Sequence, residues 1–400
     1  MANSPRQVFR VRDRNIGQMR MGKGLRTLRF QFDGRRLTGQ EGDSLASALL
    51  ANGVHLVGRS FKYHRPRGIV AAGVEEPNGL VTLVGRQQAQ TRGATRLGRI
   101  TPNLRATEIE LYEGLEAYSQ NRWPSLSLDL QSINGWFSRF LVAGFYYKTF
   151  KGLGFGLGSV GVSFAWTKIY EPLIRRSAGL GKAPKASDPD HYAQFNRHCD
   201  LLIIGAGAAG LAAALRAGKS GAAVILCDEN REIGGSLLDI ENDAVHIDNK
   251  YAEQWVTATR SELDGMNNVT ILTRTRVFGL FADGYAAAVQ QTGDHLNRPE
   301  AAPASLDDPD LPREVLWHFR AKSIVLATGA IERPLVFPNN DRPGVMLAAS
   351  AEAYFCRYGV IPGRQVVVFT ASDSAYSSAL ALVHGGVKVT HMIDLREAAA

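Results

Sequence analysis

Six residues constrain this chain more than any others: Gly205-Ala206-Gly207-Ala208-Ala209-Gly210, set between an apolar run, LLII (201–204), and an alanine-rich stretch (209–218). A glycine-rich turn that leaves a buried strand and opens a helix is a dinucleotide-binding fingerprint, whereas the same glycines without that context say little. Gly205 permits the tight turn, Gly207 lets the backbone approach a diphosphate, and Gly210 lets the helix press onto the sheet. The free N–H groups and partial positive charge of the helix start then face the phosphates. A second strand, AVILCD (223–228), ends at Asp228 and Glu229, where a carboxylate accepts hydrogen bonds from ribose hydroxyls. The same charge repels a 2′-phosphate, which favours NAD or FAD over NADP.

Gly234-Gly235-Ser236 follows that acidic pair, and SIVLATGAIERP (323–334) supplies a further strand ending in a sharp turn at Gly329. The two together point to a two-dinucleotide-binding flavoprotein-reductase domain rather than a simple dehydrogenase. A second strand–helix–strand unit comprises VVVFT (366–370), a helix from about Ser374 to His384, and VKVTHMID (387–394). Its turn reads Thr370-Ala371-Ser372-Asp373-Ser374-Ala375-Tyr376, without glycines, so side chains obstruct a phosphate and the unit is expected to be structural. The unit breaks off soon after its second strand, which suggests a truncated piece of something longer.

The N-terminal part has a different grammar. LRFQF and RRLT flank Asp33-Gly34 as a hairpin, and EGDSLASALLANGV predicts a helix capped by Asp43 or Ser44 and closed at Asn52-Gly53. With further strands expected at 79–85 and 107–113, this is a ferredoxin-like beta-grasp domain. Its loop, GRSFKYHRPRGIVAAGVEEPNGLV (58–81), contains no cysteine, so it lacks the thiolates of a [2Fe–2S] cluster. The Arg59, Lys62, Arg65 and Arg67 group reads as a solvated or interface face, with an anionic ligand as the alternative.

The fold class is therefore α/β: a basic arm (1–26), a beta-grasp domain without iron-sulfur ligands (27–115), an aromatic-rich connecting segment (116–197), a Rossmann-like NAD-binding domain (198–345) and an incomplete second Rossmann-like subdomain (346–400). The formal net charge of +8 is concentrated in residues 1–40, which hold ten Lys/Arg against Asp13 and Asp33. That arm reads as a solvated extension on a larger assembly, with a transit peptide or a nucleic-acid arm as alternatives. The uncharged stretch 152–167 is shorter than a spanning helix requires and rich in glycine, so no membrane insertion is expected. Cys199, Cys227 and Cys356 form no CxxC pair and read as reduced and structural, in keeping with a cytoplasmic enzyme.

Several strings together resemble the alpha subunit of heterotetrameric sarcosine oxidase: VGRSFKYHRPRGI (57–69), AGFYYKTF (143–150), GAGAAG with DENREIGGSL (228–237), TRTRVFGLF (273–281) and LATGAIERPLVFPNNDRPGVML (326–347). The resemblance implies a subunit that binds NAD, within a complex of beta, gamma and delta partners. The beta subunit holds FAD and oxidises sarcosine, and an FMN passes electrons to oxygen to give hydrogen peroxide. A C-terminal folate-binding domain, which in that family converts tetrahydrofolate to its methylene form, is not among these residues. The resemblance also extends the NAD contacts to Ala209, Asn230, Ser236 and Val277. No general base, nucleophile or metal constellation stands out, so no catalytic residue is named. Two other readings stay open: an NADH-dependent flavin reductase subunit of an amino-acid or opine dehydrogenase complex, and a non-catalytic scaffold with a vestigial nucleotide site.

Overall fold

The computed structural model describes residues 7–11, 25–84, 100–136, 167–168, 171–172, 175, 192–241, 244–292 and 312–397. The expectations for residues 152–166, the AGFYYKTF string and most of the basic arm lie outside these residues. The chain divides into two compact units: Met1–Val8 with Thr27–Ser187 and Leu335–Met346, and Phe9–Arg26 with Asp188–Pro334 and Leu347–Ala400.

In the first unit β1 (Thr27–Phe32) and β2 (Arg35–Gln40) pair antiparallel, Phe32 opposite Arg35. Asp33 and Gly34 both take positive φ, 50° and 75°, as the turn between right-twisted strands demands. Period-two alternation buries Leu28, Phe30 and Phe32 and exposes the residues between them. Helix α1 (Leu45–Ala51) begins at Ser44, whose hydroxyl accepts the Ser47 N–H at 3.1 Å, and all seven of its residues are buried. Asp43 takes a different part, accepting the Gln40 N–H and the Ser47 hydroxyl. A short ribbon, β3 (Gly58–Arg59) and β4 (Pro66–Arg67), precedes β5 (Leu80–Val84), β6 (Ile100–Arg105) and β7 (Glu116–Ser119). The sheet runs β2-β1-β7-β5-β6, with β1 and β7 parallel.

The strand expected at 107–113 is not formed. Ile109 and Leu111 are buried, as alternation suggested, but their backbone groups bond to the α1 region: the Leu45 N–H donates to Ile109 O and the Leu111 N–H to Asp43 O. Burial alternates there without a ladder partner, so the segment is an irregular crossing.

The three arginines of the basic group at 59–67 are engaged within their own unit, although Arg65 stays partly solvated. Arg65 and Arg67 both pair with Asp341, at 2.7 and 2.5 Å, and Arg59 donates to Leu126 O and His64 O. Arg59 also stands 3.6 Å from Asp129, which accepts from His64 at 2.8 Å in an interior where both are buried. These arginines neutralise and tie their own unit together.

The second unit is built on a six-stranded sheet of β8 (Tyr192–Ile204), β9 (Val224–Cys227), β12 (Val269–Leu272), β13 (Thr275–Leu280), β14 (Tyr285–Gln291) and β15 (Glu314–Leu326), with the small ribbon β10 (His246–Ile247) and β11 (Lys250–Tyr251) beside it. The order is β12-β9-β8-β15-β14-β13, parallel across the first four and antiparallel across β15-β14-β13. Strand β8 starts at Tyr192, well before the apolar run that announced it. Helices α2 (Ala208–Lys219) and α3 (Ala252–Asp264) contribute to one core, where Ile203, Leu211, Ala214, Leu226, Trp255 and Leu263 meet. A second core gathers Leu202, Ile225, Cys227, Ala286, Trp317 and Phe319. Adjacent residues at the end of β8 thus serve different cores, which explains the uninterrupted apolar run 201–204. Helix α4 (Ala348–Tyr358) leads to a separate parallel pair, β16 (Gln365–Thr370) and β17 (Lys388–Asp394), joined through α5 (Ser374–His384).

Candidate functional site

At the carboxyl ends of β8, β9 and β15 the second unit assembles a glycine turn whose three glycines differ in what they do. The Gly205 N–H donates to Cys227 O at 2.8 Å, Gly205 takes φ +100°, and a Cβ there would lie 2.3 Å from Ala327 O. A Cβ on Gly210 would lie 1.8 Å from Gly205 O. Both glycines are therefore required for the backbone to close on itself. Gly207 is different: its φ is −75° and the nearest atom to a Cβ would be Gly235 Cα at 3.9 Å. A Cβ at 207 would make only an ordinary contact with the Gly235 backbone, so the fold itself does not demand glycine there, and close approach of a ligand is the use a glycine at this offset serves.

Gly207 is also the residue that caps α2, without any side-chain hydrogen bond to the helix start. Ala208 and Ala209 are exposed, so the first-turn peptide groups border solvent and can meet an anion.

Strand alternation separates the two acids after β9. Asp228, 6% exposed, accepts the Ala206 N–H at 2.6 Å on one oxygen and the Asn230 N–H at 2.8 Å and side-chain amide at 3.1 Å on the other. It ties the glycine turn to the end of β9 while keeping lone pairs for a sugar hydroxyl. Glu229 points out, 3.4 Å from Arg276, an exposed pair of small energetic weight.

The other residues expected at the site fall around this turn. The Arg274 N–H donates to Asn230 O, and the Thr275 N–H donates to Asp228 O at 2.7 Å, which brings the start of β13 to the site. Val277, two residues on, packs partly against the Cys227 core. Ser236 is exposed on a single helical turn, Gly235–Leu238, that the Gly234 N–H anchors to Ala206 O at 2.8 Å. Gly329 is exposed with φ +69° and open space around it.

Arg357, on α4, is a residue that sequence reasoning missed. Its guanidinium pairs with Asp239 and donates to Gly235 O at 3.0 Å, holding the Gly234-Gly235 loop. Burial opposes its charge, but Asp239 beside it raises the guanidinium above its ordinary value. A basic residue in a last helical turn looks in sequence like an ordinary partner of the helix dipole, so no signal distinguished it. Replacing Arg357 with Met leaves Asp239 without its cation and is expected to destabilise the unit by about 3 kcal/mol, read by denaturant melts. Adding Asp239→Leu to that variant should recover part of the loss, since both charges are then removed.

The three cysteines are buried and free. Burial pushes the Cys199 thiol up to about 11 and raises Cys227 and Cys356 further. Alkylation by iodoacetamide at pH 8 should therefore leave all three unmodified in the native chain and modify all three after denaturation, as peptide mass spectrometry can show. Among the described residues, no three metal-ligating side chains cluster, and no helix is long and apolar enough to cross a membrane. At the glycine-free second turn, Ser372 and Ser374 bond to each other at 3.0 Å and Asp373 pairs with Arg396, so side chains occupy the start of α5.

Comparison with known proteins agrees with this geometry. Residues 25–122 match the model of a 2Fe-2S iron-sulfur cluster binding domain, although that segment contains no cysteine to hold a cluster. The chain is 52% identical over 372 residues to sarcosine oxidase subunit alpha of Rhizobium meliloti (strain 1021), covering 93% of this chain and 34% of that protein. It is 38% identical to the same-named subunit of Corynebacterium sp. (strain P-1), covering 91% and 30%. The chain thus spans about a third of the length of these relatives. Among solved structures, L-proline dehydrogenase from P. horikoshii shares the fold, with a TM-score of 0.59 at 21% identity over 95% of this chain and 56% of that one. Residues 199–399, half of the chain and all of the site described above, match the pyridine nucleotide-disulphide oxidoreductase model, and the chain belongs to that family.

Proposed function

We propose that this chain is the NAD-binding part of a sarcosine oxidase alpha subunit, working beside a beta subunit that carries FAD and oxidises the amine. The observation that carries the reading is a glycine at 207 that the fold itself does not require, at the exposed start of α2 and in a turn that Asp228 anchors through the Ala206 N–H. The identity to sarcosine oxidase subunits alpha supplies the substrate class. The diphosphate lies over Gly207, against the peptide groups of Ala208 and Ala209, and the adenosine ribose donates to Asp228 or Glu229. Asn230, Ser236 and Val277 line the adenosine side, and Gly329 keeps the opposite wall free of a side chain. The negative pair at the strand end disfavours a 2′-phosphate, so NAD is preferred to NADP. A bound nicotinamide can accept or donate hydride. This chain's residues bind and orient it, and the amine chemistry takes place on the partner, giving glycine, the methyl carbon at the formaldehyde level and, with FMN and oxygen, hydrogen peroxide.

The test is coexpression with candidate beta, gamma and delta subunits, followed by a peroxide assay with sarcosine. Sarcosine-dependent peroxide from the assembled complex is the expected result. An assembled, flavin-loaded complex that ignores sarcosine would remove the substrate assignment.

A further inference from the structure

The first unit matches a cluster-binding domain that its residues do not fit, and the structure shows what stands in the place of the missing ligands. Glu76 is 1% exposed. One of its oxygens accepts the Val70 and Ala71 N–H groups at 2.8 and 2.6 Å, and the other accepts the Asn78 and Gly79 N–H groups, each at 2.7 Å. Four peptide donors converging on one buried anion form the kind of concavity that also surrounds phosphates and iron-sulfur clusters.

The spacing is equally informative. Plant-type clusters are held by cysteines spaced C-x4-C-x2-C, with a fourth cysteine further along the chain. Ala71, Glu76 and Gly79 stand at that spacing, and Ala71 and Gly79 are two of the residues whose N–H groups Glu76 collects. A Cβ built on Gly79 points at the Glu76 side chain, meeting its Cγ at 3.2 Å and its carboxyl oxygen at 3.4 Å. The end of β6 closes the loop: the Ala106 N–H donates to Gly79 O at 2.8 Å, the Arg105 side chain to Glu76 O at 3.2 Å, and the Thr107 hydroxyl to Gly73 O at 2.7 Å. Ala71 and Ala106 are both fully buried.

We infer that residues 71, 76, 79 and 106 occupy the four ligand positions of a [2Fe–2S] site, and that the Glu76 carboxylate is a built-in anion replacing the cluster on the peptide groups that would otherwise surround it. The loop is thereby closed without metal, and the unit has a structural role in place of electron transfer. A neutral side chain at position 76 removes the buried charge on which these four peptide donors converge.

Two sets of variants in the full chain test this. Glu76→Gln and Glu76→Ala should each lower the melting temperature, by about ten degrees for Ala, with loss of amide protection at Val70, Ala71, Asn78 and Gly79 in hydrogen exchange. The combined variant Ala71→Cys, Glu76→Cys, Gly79→Cys, Ala106→Cys, incubated anaerobically with ferric iron and sulfide, should bind iron and sulfide in equal amounts. On reduction it should give the electron paramagnetic resonance signal of a [2Fe–2S] centre. A folded four-cysteine variant that takes up no cluster overturns the assignment of the ligand positions. If that variant does not fold, the Glu76 series decides: unchanged melting and exchange in both Gln and Ala variants would overturn the role of the carboxylate.

Discussion

Gly207→Ala is expected to leave the chain as stable as the parent and to weaken NAD binding by about tenfold to a hundredfold, equivalent to the ~1–3 kcal/mol of a forced steric misfit. The first half of that expectation follows from φ −75° and from a Cβ that meets nothing closer than 3.9 Å. The second follows from where that Cβ points, into the space a diphosphate needs. Gly207→Val should abolish measurable binding for the same reason. By contrast, Gly210→Ala drives a methyl against Gly205 O and should lose stability together with binding. Titration calorimetry and thermal melts on the three variants separate the two effects. Unaltered NAD affinity in folded Gly207→Val would mean that the diphosphate does not cross this turn.

Asp228→Asn should be nearly as damaging as Asp228→Ala, by about 3 kcal/mol of stability. Both carboxylate oxygens accept peptide N–H groups, Ala206 on one side and Asn230 on the other. An amide in the same place must turn its own N–H toward one of these donors, and a buried donor facing a donor is worse than an ordinary lost bond. Asp228 is therefore expected to affect folding and ribose binding together. Glu229→Gln, at an exposed position, should change stability little. A chemical denaturation series across the three variants checks this order. An Asp228→Asn variant as stable as the parent would show that the turn is not anchored through this carboxylate.

The glycine turn, its strand and its helix were legible because each local signal agreed with the next: an apolar run, glycines at fixed offsets, a helix former, then an acid. Asp33-Gly34 was legible for a similar reason, since positive φ at both positions restricts the choice of residues. The distinction between Asp228 and Glu229 was not, because adjacent acids look alike until strand alternation sends one inward. Residues 107–113 misled because burial alternates along them while their peptide groups bond to Asp43 and Leu45. The same limit hid the Arg65 and Arg67 pairing with Asp341 and the Arg357 contact with Gly235 O, which join positions far apart in sequence. Long-range ion pairs leave no periodic trace in a single sequence. Glu76 was visible only as one acid in a loop without cysteine, since four converging peptide donors belong to the folded backbone.

The central claim is that NAD lies across the Gly205–Gly210 turn. Mass spectrometry of the ligand released from the purified, undenatured chain tests it most directly, with Gly207→Val prepared in parallel. The account predicts NAD in near-stoichiometric amount from the parent chain and none from the variant. FAD alone from the parent, or equal NAD from both, would contradict it.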